Sequence, residues 1–146
     1  IELILMTSFI FVKYLHLLSA FGMAGCLMAE MVLLKSTMSL AEIKRIGKID
    51  GFYGLSAITL VAAGFTMWFV VGKGPGFYED KALWVKLSLA TLIGLISIIP
   101  TVFFIRSGRK KDVTEIHIPP YIKRLVIIQL ILLACIPPLA TMVAYG

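Results

Sequence analysis

Four apolar runs, at roughly 9–34, 51–72, 82–105 and 122–144, constrain this chain more than any other feature of it. Each has the ~20 residues that a helix needs to cross the ~30 Å hydrocarbon core of a bilayer. In hydrocarbon a segment must satisfy its own backbone hydrogen bonds, which a helix does and an isolated strand does not. The expected fold is therefore all-α, an integral membrane four-helix bundle forming one domain over 1–146. Hydrophobic residues make up 60% of the chain and charged ones only 15%, which excludes an ordinary soluble domain. The net charge of +6 would suit nucleic acid, but the basic residues fall mostly between the apolar runs, where such charges set membrane topology. No nucleic-acid partner is expected; the lipid bilayer is.

The gaps between the runs give topology. Between the first two lies STMSLAEIKRIGKID, where Ser39 followed by Glu42 matches a capping box and predicts a short interfacial helix running into the second span. The loops after spans one and three share a side and hold ten of the 14 Lys and Arg residues. By the positive-inside rule that side is cytoplasmic, so both termini are expected in the periplasm of a bacterial inner membrane. The Gly-Lys-Gly-Pro-Gly stretch at 72–76 is a turn cluster, since it lacks the Gly-Lys-Ser/Thr ending of a phosphate loop. Cys26 and Cys135 sit inside apolar runs at different depths, which suits packing better than a disulfide. The chain opens on Ile1 rather than Met, so its start is expected upstream, and the first run is too long and too polar for a cleaved signal peptide.

The first run carries Lys13, His16 and Glu30, and an ionisable group inside a span costs several kcal/mol unless it faces protein or water. His16, Ala20, Met23, Leu27 and Glu30 recur at helical spacing on one stripe, beside a stripe of small residues, Ser19, Gly22, Cys26 and Ala29. Small residues let another helix backbone, or a flat cofactor, come close. In the second span Asp50, Gly54, Ala57, Val61, Gly64 and Trp68 share a mostly small face suited to close packing. In the third, Lys86, Ala90, Ile93, Ser97 and Thr101 share a face, and Pro100 frees backbone groups that Ser97 or Thr101 would satisfy. Two polar layers are expected. The outer one gathers His16 and Lys86 with Met67, Trp68 and Trp84, the small Ser19 and Ala20 leaving room beside the imidazole. The other gathers Glu30, Asp50 and Tyr53 toward the cytoplasm, for proton traffic or for pinning helix ends. The plainer alternatives are a His bonded to a neighbouring carbonyl, a Lys86 snorkelling to the interface, and methionines that only fill space.

Lys-Tyr-Leu-His at 13–16, Ala41-Glu42, Asp50-Gly51-Phe52-Tyr53-Gly54, Gly72-Lys73-Gly74-Pro75 with Phe77-Tyr78, Trp84-Val85-Lys86 and Ser97-Ile98-Ile99-Pro100-Thr101 together resemble a bacterial family of four-helix membrane proteins of unknown function. More remotely, in size and layout, the chain is similar to the short haem-dependent protoporphyrinogen oxidases and to the copper-resistance D-type membrane domain. In those oxidases a His in the first helix and a Lys after a Trp in the third are functional and haem b is implied; His16 and Lys86 match those positions. The Trp and paired aromatic residues that follow the His in the oxidases are replaced here by Ala20, Phe21 and Gly22.

The expected function is thus a membrane redox or electron-transfer protein holding haem b in its outer half. His16 would ligate the iron, with Lys86, Met67, Ser19 and Ala20 around it. The alternative is a non-enzymatic subunit packing in a larger respiratory or photosynthetic complex, or against copies of itself; a proton or solute carrier has no inverted repeat in its favour.

Overall fold

The computed structural model describes residues 1–71 and 81–145. The Gly72-Lys73-Gly74-Pro75 cluster, Phe77 and Tyr78 lie outside the described residues. Helix α1 spans Glu2–Leu33. It begins two turns before the first apolar run because Leu3 to Met6 are themselves apolar, and Thr7 hides its polarity by donating its hydroxyl to the Leu3 carbonyl at 2.8 Å. Strand β1, Thr37–Ser39, follows. Ser39 then opens α2, Leu40–Thr66, as the capping box predicts. Its Oγ accepts from the Glu42 N–H at 3.2 Å, and Glu42 Oε1 accepts from the Ser39 N–H at 3.2 Å. Lys35 closes the corner through an ion pair to Glu42 at 3.0 Å. The interfacial turns and the second span form one continuous helix, which ends in a π-helical turn, Met67–Val71.

Helix α3 spans Lys81–Gly108 with Pro100 inside it. Strand β2, Glu115–His117, and helix α4, Pro120–Tyr145, complete the order. Pro120 sits at the first helical position, where a missing N–H costs nothing. All four helices are long and apolar enough to cross a membrane.

The loop after the third span is exposed over most of its length, yet it carries a strand that the sequence did not signal. It pairs β2 antiparallel to β1, with Thr37 opposite His117, Met38 opposite Ile116 and Ser39 opposite Glu115. The Ile118 N–H extends the ladder to the Ser36 carbonyl at 2.8 Å. Ile116 and Ile118 turn inward and are buried, while Glu115 and His117 stay exposed. Together with Leu34 and Met38 they roof a core of Leu27, Ile43, Ile46, Phe104, Ile122 and Val126. The well-packed part of the bundle is therefore the end that carries the sheet.

Helices α1 and α2 form one close pair and α3 and α4 the other, while the seam between α2 and α3 is looser. The α1–α2 contact is close at Gly22, where an added Cβ would come within 2.8 Å of Ser56 Oγ. The small stripe of α1 thus receives a helix rather than a flat ligand. The small face expected to pack α2 tightly does so only in part: Gly64 lies against His16, whereas Asp50, Gly54, Ala57 and Val61 line an open groove, and a Cβ on Gly54 would meet nothing within 4 Å. The reason is steric. Beside Ile93 the opposite wall presents the short Ala90, Ser97 and Thr101, so two mostly low faces confront each other without interlocking.

Candidate functional site

The outer layer is built on α1. His16 Nδ1 lies 2.9 Å from the Leu60 carbonyl of α2. A carbonyl can only accept, so Nδ1 carries the proton, and in the neutral ring Nε2 keeps the lone pair. Gly64, one turn on from Leu60, makes the approach possible: an added Cβ there would stand 3.4 Å from His16 Cε1. The next turn is the π-helical one, starting with Met67, where Trp68 stacks on Phe69 at 4.4 Å between ring centroids. Lys86 is exposed, and its charge acts on the imidazole. Ser19 donates back to the Leu15 carbonyl at 2.8 Å and is buried, so it offers no polar contact to a neighbour. Ala20 is half-buried.

The second layer lies nearer the sheet. Glu30 is 1% exposed and Asp50 is 6% exposed, so both carboxyls are withdrawn from solvent and lipid. They lie within hydrogen-bonding reach of each other. Thr101 on α3 donates its hydroxyl to Asp50 Oδ2 at 2.7 Å. Tyr53 is buried beside them with its hydroxyl toward Ser97, and Cys26 is near enough to feel both carboxyls. Ser97 itself donates to the Gly94 carbonyl at 2.7 Å. Neither of the two hydroxyls expected to satisfy the backbone group freed by Pro100 does so: the freed carbonyl is that of Ile96, while Ser97 serves Gly94 and Thr101 crosses to Asp50. Counted from the sheet ends of their helices, Asp50, Thr101 and Gln129 lie about 10–15 Å deep at 1.5 Å per residue. Gln129 is fully buried, and its Oε1, like Glu30 Oε1, has no hydrogen-bond partner among the described residues.

The carboxyl layer is gathered, whereas of the outer one the structure shows His16 held on α2, with Lys86 and Trp84 exposed. Leu60, which holds His16, and Asp50, which holds Thr101, both line the groove between α2 and α3. Glu30, Asp50 and Tyr53 come together as the sequence suggested. What the sequence did not disclose was the Leu60 carbonyl, Gly64 as the residue that admits the imidazole, and Thr101 as the donor to Asp50. Spacing signalled the last, since Ser97 and Thr101 share a face one turn apart. Among the described residues no three His, Cys, Asp or Glu side chains gather into a metal centre, and both cysteines are free.

The sequence model of one protein family, described as "Predicted membrane protein (DUF2214)", matches residues 8–146. The chain belongs to the DUF2214 family. All the motifs from Lys13 to Thr101 noted above fall inside the matched residues, and the DUF2214 chain is a membrane protein with four candidate spans. No curated protein and no solved structure matches this DUF2214 chain. Its function is therefore argued from its own residues.

Proposed function

We propose that this protein is a membrane redox protein that holds a b-type haem in the half of the bundle away from the sheet, with His16 as axial ligand. The observation that carries the reading is the His16–Leu60 hydrogen bond at 2.9 Å. A protein imidazole that ligates iron needs its other nitrogen tied to an acceptor, which fixes the tautomer and aims the ring. The Leu60 carbonyl does this, and Gly64 clears the space for it. Haem, when bound, supplies one-electron chemistry at its iron, tuned by the second ligand and by burial. The chain's own part is to orient His16, to bring the Lys86 ammonium toward propionate charge, and to offer Met67 as a soft, adaptable neighbour. No second histidine lies in a span, so the sixth position is left to Lys86, to Met67, to another chain or to substrate.

In this reading the sheet end faces the cytoplasm and both termini the periplasm, because ten of the 14 basic residues lie on the sheet side. The test is an absorption spectrum of the protein purified from haem-replete membranes. The wild type is expected to show a Soret band and reduced b-type bands, His16→Ala to lose them while still inserting, and Lys86→Ala to shift or weaken them. A wild type without these bands, or a His16→Ala variant that retains them, overturns the assignment. The first of those results leaves the chain as a packing subunit of a larger membrane complex.

A further inference from the structure

The groove between α2 and α3 encloses about 580 Å³, the size of a site for a drug-sized molecule. Its body is apolar and roomy: Cβ atoms added at Gly54 on one wall or Gly94 on the other would meet nothing within 4 Å. One end is polar, formed by Asp50, Tyr53, Ser97 and Thr101. Behind Asp50 stands Glu30, 1% exposed, within hydrogen-bonding reach of it and with Oε1 unpartnered among the described residues.

Charge decides what such an end takes. Among the described residues Lys35–Glu42 is the sole ion pair, so no Lys or Arg neutralises Glu30 or Asp50. The groups that face the pair are Cys26 from α1, Tyr53 from α2 and the Thr101 hydroxyl from α3, none of them cationic. Two carboxyls at hydrogen-bonding range have no donor between them unless one carries a proton, and a buried anion without a counter-charge is strongly disfavoured. A positive partner is therefore needed, and the groove gives it a way in that avoids the packed core. Tyr53 adds an aromatic ring of the kind that attracts organic cations.

We infer that the α2–α3 groove is a binding site for a lipophilic organic cation, whose charged head sits against Asp50 and Glu30 in place of the proton they share and whose apolar body lies along Gly54 and Gly94. The exchange balances: the cation enters, one proton leaves to solvent, the carboxyl pair goes from one negative charge to two, and the net charge of pair plus cation equals that of the protonated pair. This site is independent of His16 and of any haem.

The experiment is equilibrium dialysis of the detergent-solubilised full chain against radiolabelled tetraphenylphosphonium, a permanent cation with no titratable proton of its own. Saturable binding is expected, weakening on the acid side by about tenfold per pH unit as a single proton competes, with about one proton released per cation bound in lightly buffered solution. Asp50→Asn and Glu30→Gln are each expected to weaken binding tenfold or more. Gly54→Leu fills the groove without touching the carboxyls and is expected to abolish binding while the protein keeps its elution volume and helical circular dichroism. Absence of saturable binding by the wild type at any pH overturns the inference and leaves the carboxyl pair as a proton site alone. Binding that is unaffected by Asp50→Asn or by a folded Gly54→Leu overturns it as well.

Discussion

Thr101 on α3 gives its hydroxyl proton to Asp50 on α2 at 2.7 Å, and this hydrogen bond bridges a seam looser than those within the two hairpins. Thr101→Val keeps the shape of the side chain and leaves a buried carboxyl oxygen without its donor, at a cost of about 1–3 kcal/mol. The expected result is a lower midpoint in thermal unfolding in detergent, with Thr101→Ser close to wild type. Equal midpoints for Val and Ser would show that the bond contributes nothing.

Gly22 and Ser56 meet where α1 and α2 pack closely. Gly22→Ala drives a methyl group to 2.8 Å from Ser56 Oγ and is expected to destabilise by about 1–3 kcal/mol. Ser56→Ala alone is expected to be mild, and the double variant to recover most of the loss, because the remaining Ser56 Cβ stands at an ordinary 3.5 Å. A double-mutant cycle of detergent stabilities measures this coupling. Strict additivity would place the contact elsewhere.

Gly64 tests the outer layer without touching the proposed ligand. Gly64→Val puts branched carbons where His16 Cε1 now stands 3.4 Å from the Cβ position. Under the haem assignment, reduced-form absorption bands are expected to shift or fall severalfold while insertion is unchanged. Spectra identical to wild type would mean that His16 is not held from this side.

The buried strand residue Ile116 is expected to matter more than its position in a charged loop suggests. Ile116→Ala removes a side chain that is 3% exposed and costs about 2–4 kcal/mol, whereas Glu115→Ala on the exposed face is expected to stay within ±0.5 kcal/mol. Thermal melts of the two variants make the comparison, and matching midpoints would dissolve the roof over the core.

Topology is open to a reporter. A fusion after Gly146 is expected to behave as periplasmic, since the basic residues of the two sheet-side loops retain that side in the cytoplasm. Cytoplasmic reporter activity would invert the bundle.

Much of this architecture is legible in the chain, because its strongest signals are local. The spans follow from apolar length, and the start of α2 from Ser39 and Glu42, whose reciprocal hydrogen bonds need no distant partner. Glu30 and Asp50 were readable as one layer because helical spacing and depth suffice to bring them level. The β1–β2 pairing was not readable: strands of three residues are too short to show alternation, and Ile116 and Ile118 are separated from Met38 by two whole spans. A carbonyl partner for His16 is legible as one alternative, but not which carbonyl, since every residue has one and no side chain marks Leu60. The small face of α2 is legible as small but not as packed or open, because smallness permits approach without supplying anything to grip: it meets His16 at Gly64 and stays open at Gly54.

The two-stranded sheet ties the loop of the α1–α2 hairpin to that of the α3–α4 hairpin at one end of the bundle, while the chain runs from α2 to α3 through residues 72–80 at the other. The described residues are thus arranged as a pair of tongs with the sheet as the pivot and a nine-residue tie between the tips. Along α3, Thr101 lies about 10 Å from the sheet-side end and Lys86 about 33 Å from it. Any tilt of one arm on the other therefore displaces the level of Lys86 roughly three times as far as the level of Thr101. A swing that strains the Thr101–Asp50 bond by a few tenths of an ångström would part the opposite tips by about an ångström, so the carboxyl layer works as the short end of a lever.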